Sequence, residues 1–377
     1  MKTKIISNTI VFWAVILLIL SNATVAYGLP GDATGEFHPV DSNRIPEILN
    51  LISSQMRTNY ELINTWRGEV HLSIDRINQG DTAEKLFRLY TLGNGDIPKI
   101  LLKHVEITIE FDLNNEKDLL FVNQNSEKPP RYTDFETGRD LGTKMITDRS
   151  KTIVTPEYYL RSSPNTTRAG VVLNRKAVKT KREKARMGCH DGMSPIYEPR
   201  DSFGARRTIW ETFPRLVQHI NEHGELNVDG YRLKVEEQKY GDVTRYLVQR
   251  PAKISPEEYI FVKMVFYSEN GFNVVSYEVT DQNGKASRLL TWEYELVSGV
   301  YLPKKMTEER FEGSNGELSY HRESTFRNLQ LNQPIPEKTF TYKNLGLKNG
   351  DKFTDKIEGK EYTYRDEKLI EVEKNSK

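Results

Sequence analysis

Residues 45–63, IPEILNLISSQMRTNYELI, carry apolar side chains at Ile45, Ile48, Leu49, Ile52, Met56, Tyr60 and Ile63. That three- and four-residue spacing predicts a helix, with Pro46 in the first turn where its missing N–H is tolerated. At Trp66 the period changes. WRGEVHLSIDRI puts Val70, Leu72 and Ile74 on one face and Glu69, His71, Ser73 and Asp75 on the other, the pattern of a strand with one wet face. ILLKHVEITIEFD and KDLLFVNQN continue as strands, and TKMITDRSKTIVTP reads as strand–turn–strand. After residue 225 a longer meander runs to FRNLQL, ending at residue 331, its turns marked by Glu-Asn-Gly, Gln-Asn-Gly and Ser-Asn-Gly. These supply the positive φ that tight hairpins need. Strand and helix do not alternate, which argues against a parallel doubly wound sheet.

A second helical stripe lies between the two strand-rich halves. In DSFGARRTIWETFPRLVQHINEHG the residues Ile209, Trp210, Phe213, Leu216, Val217 and Ile220 recur at helical spacing, Pro214 is placed to kink the helix, and Gly224 stops it. Two amphipathic helices beside a long antiparallel sheet predict an α+β fold. Both apolar stripes are buried most simply against one concave face of a large, curved antiparallel sheet.

Composition then narrows the class. Lys2 and Lys4 precede the apolar run Thr9–Leu20, and SNATVAYG follows with small residues. A spanning helix needs roughly 18–20 apolar residues, so this shorter run reads as a cleaved signal peptide over residues 1–28. Residues 29–44 read as a linker. The mature chain is then expected to be periplasmic or secreted, and no cysteine follows the run to carry a lipid anchor. Cys189 is the single cysteine among 377 residues, so no internal disulfide forms and the core must hold the fold alone. Lys and Arg number 54 against 53 Asp and Glu, a balance that makes no electrostatic case for nucleic acid. One local exception is NRKAVKTKREKAR, residues 174–186, which includes Lys179 and Lys181. It reads as a solvated loop or helix face, with peripheral contact to anionic lipid headgroups as the alternative.

Two short stretches carry candidate chemistry. HINEH, residues 219–223, has the H-x-x-E-H form of one class of zinc peptidase, with His219 and His223 as ligands and Glu222 between them. A catalytic zinc also needs a third protein ligand, and Gly224 ends the helix at once. The structural reading is a helix end, with Ile220 and His223 turned inward and His223 favoured by the helix dipole. MGCHDG brings Cys189 beside His190 without a C-x-x-C-H haem tail, so a loop cysteine is expected. No nucleophile elbow, phosphate loop or dinucleotide turn occurs, and no carboxylate pair stands out as an acid/base couple. No cofactor, catalytic residue or metal ligand is assigned.

The pattern resembles the bacterial outer-membrane lipoprotein-sorting superfamily. ILNLISSQMRTNYELINTWRGEVHLSI (helix into first strand), MITDRSKTIVTP, and the run from RYLVQRP through LTWEYELVSGVYLPKK to LNQPIPEKTFTYKNLGLKNGDKFTD carry the likeness, over about residues 45–355. It implies an unclosed half-barrel, with the N-terminal and mid-chain helices covering the concave face. On this reading residues 45–355 form one domain, with an inserted basic segment and helix at about 174–224, and residues 356–377 form a charged tail or final hairpin. The chain is about twice the length of the short carriers, and their lid-locking arginine has no assignable counterpart here. A half-barrel exposes an apolar concavity, and such cavities take acyl chains or apolar segments of partners. The expected lining is Trp66, Ile209, Trp210, Phe213, Leu216, Val217 and Ile220. The expected function is non-enzymatic binding of a lipid, a lipidated protein or another apolar partner. A zinc hydrolase at His219–His223 and an envelope sensor or scaffold on the same fold are the alternatives.

Overall fold

A computed structural model describes residues 36–92, 96–126, 128–144, 149–166, 172–184, 197–203, 212–224, 227–228, 231–255, 258–312 and 316–372. The expected signal peptide lies outside them. Strand β1 (His38–Pro39) leads to a short 3-10 turn, Ser42–Arg44, where the Asp41 carboxylate accepts the Asn43 N–H at 2.9 Å. Helix α1 (Ile45–Glu61) follows. It buries Ile48, Leu49, Ile52 and Met56 along one stripe, as the spacing predicts. Strand β2 (Thr65–Gln79) then buries Trp66, Val70, Leu72 and Ile74.

The structure differs from the sequence reading at the next element. Helix α2 (Gly80–Tyr90) was not expected, although Ala83, Leu86, Phe87 and Tyr90 have helical spacing. Its Ala83 and Phe87 pack on Leu101, Tyr132 and Leu141 in a small separate core. The chain continues through β3 (Ile100–Asn114), β4 (Leu119–Asn125), β5 (Arg131–Asp134), β6 (Arg149–Val154), β7 (Tyr158–Thr166) and β8 (Val172–Lys181). The basic run 174–186, read as a loop or helix face, is therefore largely strand. Alternation contributes to this: Ala177 is fully buried, whereas Lys176 before it is exposed.

A 3-10 turn, Pro199–Phe203, precedes helix α3 (Phe213–His223), which ends at Gly224 with φ +85° as the sequence implies. A small ribbon follows, β9 (Asn227–Val228) with β10 (Tyr231–Arg232). The meander comprises β11 (Lys234–Tyr240), β12 (Val243–Ser255), β13 (Glu258–Tyr267), β14 (Val274–Asp281), β15 (Ala286–Val297), β16 (Val300–Glu312) and β17 (Glu317–Leu331). Gly271, at φ +63°, makes the β13–β14 turn beneath the Tyr301 ring, where an added Cβ would lie 3.1 Å from the ring. Strands β18 (Lys352–Asp355), β19 (Lys360–Arg365) and β20 (Lys368–Glu371) close the chain.

Eighteen of these strands form one sheet. β2 sits in its middle, paired on one side with β17 and on the other with β3. One arm runs from β17 back through the meander to β11 and β1. The other runs from β3 through β4, β6, β7, β8 and β18 to β19 and β20. The outermost strands, β1 and β20, do not pair with each other, so the sheet is not closed. It is a mixed sheet rather than a wholly antiparallel one, because β18 lies parallel to β8. The sheet also runs past residue 355, since β19 and β20 extend it. A crossing segment with two 3-10 turns, Glu337–Phe340 and Tyr342–Leu345, covers Phe121, Ile153 and Leu160 on the outer face. Both helices, α1 and α3, pack on the opposite, concave face.

Candidate functional site

The concave face and its two helices enclose one continuous apolar interior. Trp66 is fully buried, edge-on to Phe111 (5.0 Å between ring centres) and to Phe203 (5.5 Å). From α3, Phe213 is fully buried against Phe266 (5.9 Å), with Val217 and Ile220 beside it and Leu216 half-buried at the margin. Trp66, Phe213, Leu216, Val217 and Ile220 are thus brought together in one apolar cluster. Ile209 and Trp210 lie outside the described residues.

The two helices are held in different ways. Asn59 of α1 accepts the Tyr301 N–H at 2.8 Å and donates to the Tyr301 carbonyl at 3.0 Å, and the Tyr60 hydroxyl bonds Asn115 at 3.2 Å. The turn before α3 is also anchored: Trp292 donates to the Ser202 carbonyl at 2.9 Å, and Arg200 pairs with Glu198 and Asp118. The hydrogen bonds of α3 side chains stay within the helix among the described residues, Gln218 to Glu222 at 2.9 Å and His223 Nδ1 with the His219 carbonyl at 3.1 Å. Only apolar contact ties α3 to the sheet there.

This geometry decides HINEH. His219, Glu222 and His223 are exposed, and the two imidazoles stack with centres 4.3 Å apart. His223 was expected to turn inward; it faces solvent, because Val217 and Ile220 occupy the buried stripe. Among the described residues no group of three His, Cys, Asp or Glu is placed to hold a metal ion. Cys189 and His190 lie outside the described residues.

Charge gathers in two places that the sequence reading did not single out. On the wet outer face, β2, β3, β4 and β17 line a recess of about 510 Å³ that includes Glu69, His71, Glu106, Glu110, Glu323 and Arg327. His71 Nε2 meets Glu69 there. Beside the recess His104 Nδ1 bonds Asp75 at 2.7 Å, and this bond raises the imidazole pKa against the opposing effect of burial, helped by the charges of Asp75 and Glu106. His321 meets Glu309 at 3.5 Å and is raised for the same reason.

On the inward face, Glu308 and Arg322 are both fully buried. Glu308 Oε1 receives Arg288 Nη2 at 2.8 Å and Arg310 Nε at 2.9 Å, while Oε2 lies 2.9 Å from Arg322 Nη2. Burial raises the Glu308 pKa, but the three guanidiniums outweigh it and hold the carboxyl below its usual range. A sequence signal existed: Arg322 stands between Tyr320 and Ser324 on the buried parity of β17. Only strand register shows that these charges meet.

No family model matches the chain, and no curated protein matches it. Solved structures similar to it include a DUF1329 family protein from Desulfovibrio piger, at 11% identity and TM-score 0.34, covering 79% of this chain and 98% of that one. A putative outer membrane lipoprotein-sorting protein domain from Vibrio parahaemolyticus also matches at 11% identity and TM-score 0.34, covering 81% and 99%. A beta-barrel-like protein of domain of unknown function DUF1849 from Brucella abortus matches at 8% identity and TM-score 0.23, covering 72% and 99%. The half-barrel description of this chain stands on its own strand order and unjoined edges. Among the described residues no helix is long and apolar enough to cross a membrane.

Proposed function

We propose that this is a non-enzymatic binding protein of the periplasm or extracellular space that takes a lipid, a lipidated protein or another apolar partner between α3 and the concave face. The observation that carries this reading is the unequal attachment of the two helices. Apolar contact is non-directional, so an acyl chain can replace Val217 and Ile220 against the sheet at little cost. The paired hydrogen bonds of Asn59 have no such substitute. α1 is therefore the fixed cover and α3 the exchangeable one.

Lipid is expected in an organic extract of protein purified from its native envelope, and a fluorescent fatty-acid probe is expected to bind saturably. Leu216→Asp should weaken the probe more than neutralising Lys179 and Lys181 together. An empty extract with no probe binding would overturn the reading, and the reverse order of effects would point to headgroup contact alone. Membrane contact through residues 174–186 has weaker support, because Lys179 is paired with Asp355 at 2.8 Å and Arg182 with Asp118 at 3.4 Å.

A further inference from the structure

We propose that the recess on the wet outer face of β17, β2, β3 and β4 binds a linear polyamine, a chain bearing two or more ammonium groups. The site lies on the face opposite the apolar interior and is independent of the function proposed above. Strand register builds it. Arg327, Glu69, Glu110 and Asn123 stand opposite one another on the four strands and form one wall. Thr325, His71, Thr108 and Asn125 make the next row, and Glu323, Ser73 and Glu106 the third. Residues in register share a face, and the short threonines of the middle row lie between longer glutamates, leaving the hollow of about 510 Å³.

The recess is short of donors. Its lining sets four carboxylates, Glu69, Glu106, Glu110 and Glu323, against two cations, Lys128 and Arg327. Glu106 is engaged by Lys128 at 3.0 Å. Glu69 meets His71, Glu110 receives Asn123 at 2.8 Å, and Glu323 pairs with Lys305 at 2.9 Å. None of these three has a second donor among the described residues. An independent observation points the same way. Asn125 Oδ1, in the middle row, is buried and has no hydrogen-bond partner among the described residues. A buried acceptor is costly until a donor reaches it. Glu323, Glu69, Glu110 and Asn125 thus present one underused acceptor on each of the four strands, and an ammonium group carries three donors and the complementary charge.

The spacing of these acceptors selects a chain over a compact ion. Among the described residues no three such groups converge as metal ligands do. The two walls are four residues of β2 apart, or about 13 Å, and the four strands span about 14 Å. A single small ion meets one wall only. A chain with ammonium groups along its length meets Glu69 and Glu110 on one wall and Glu323 on the other, crossing the threonines and Asn125 between them. Leu72 and Ile107, which also border the recess, are 6% and 5% exposed on the buried parity of their strands. The recess therefore lacks the apolar side chains that an acyl chain would need.

The test titrates the full mature chain with spermidine, octanediol and magnesium ion at physiological ionic strength, where diffuse surface attraction is screened. Spermidine should bind saturably at one site per chain, octanediol should not bind, and equimolar magnesium should displace little. Glu69→Gln and, independently, Glu110→Gln should each weaken spermidine about threefold or more, the size of a partly screened ion pair. Arg327→Gln should tighten it, because a competing cation is removed from the wall. Glu278→Gln makes the same charge change on β14, outside the recess, and should have no effect. All four side chains are exposed or half-buried, so melting temperatures should stay near wild type. Spermidine weakened as much by Glu278→Gln as by Glu69→Gln would overturn the site in favour of general charge attraction. Full displacement by magnesium, binding unchanged in both recess variants, or no spermidine binding at all would each overturn it as well. Fatty-acid binding should be the same with and without spermidine, so the apolar reading and the polyamine site fail separately.

Discussion

Asn59 and Tyr301 form a two-way clamp: the Asn59 carboxamide accepts the Tyr301 N–H at 2.8 Å and donates to the Tyr301 carbonyl at 3.0 Å. Asn59 is 7% exposed, so its removal strands both backbone groups of Tyr301 where α1 meets the first residues of β16. Asn59→Leu keeps the volume and deletes both bonds. It should cost about 2–3 kcal/mol, the desolvation of a buried donor and acceptor. Urea unfolding monitored by tryptophan fluorescence measures it; a loss below ~0.5 kcal/mol would show that the clamp is dispensable.

The buried carboxylate of Glu308 makes a sharper case. Glu308→Gln removes the carboxylate on which Arg288, Arg310 and Arg322 converge. Uncompensated buried charge is costly, so a loss of about 3–5 kcal/mol is expected. Replacing Arg310 alone should cost much less, because its side chain is 36% exposed and two other guanidiniums still hold the carboxylate. Equilibrium unfolding of the two variants side by side gives the order, and an equal loss in both would refute it.

The outer face should show its own pH dependence. His104 has a folded pKa raised above its ordinary value by the bond to Asp75, and His321 is raised by Glu309 and, more distantly, by Asp75. For a raised histidine the stabilisation is fully present below the unfolded pKa of about 6.5 and is lost as pH rises through the folded value. Stability should therefore fall as pH rises above about 6.5, and Asp75→Asn should flatten that slope. Denaturation midpoints across this range test it. A wild-type slope of the opposite sign would contradict the assignment.

Much of the architecture was legible because local period carries it. The α1 stripe, the alternation of β2 and the Asn-Gly turns of the meander each need only a dozen residues of context, and the resulting elements bury the residues expected. Three features were not legible. α2 is short and starts without a capping side chain, and the basic run hides the strand alternation of β8 behind lysines that pair elsewhere. The parallel contact of β18 with β8 joins segments about 175 residues apart, and no local pattern specifies such a partner. The candidate sites divide the same way. The buried stripe of α3 follows from spacing, whereas the outer recess exists only once four strands are in register.

HINEH should behave as an exposed helix face. His219→Ala with His223→Ala removes two solvent-facing rings that stack on each other and bond no other element among the described residues. Stability should change by less than about 1 kcal/mol, in line with surface substitutions, and fatty-acid probe binding should be unaffected. Metal analysis of the wild-type protein after chelator washing gives an independent reading: about one zinc per chain, lost in the double variant, would restore a metal role.

The final expectation concerns the order in which the helices open. Opening free energies vary across a fold with the contacts that each segment must break. α1 must break the Asn59 clamp and expose Ile48, Leu49, Ile52 and Met56, whereas α3 exposes Phe213, Val217 and Ile220 and breaks no side-chain hydrogen bond to the sheet among the described residues. Amide hydrogens of residues 213–223 should therefore exchange through an opening of lower free energy than those of 45–61. Fatty acid bound under α3 should change exchange in α3 and leave α1 nearly as it was. Hydrogen exchange read by mass spectrometry resolves the two segments. Equal protection in both helices, with equal response to ligand, would mean that they move as one cover and that α3 is not the element that admits the chain.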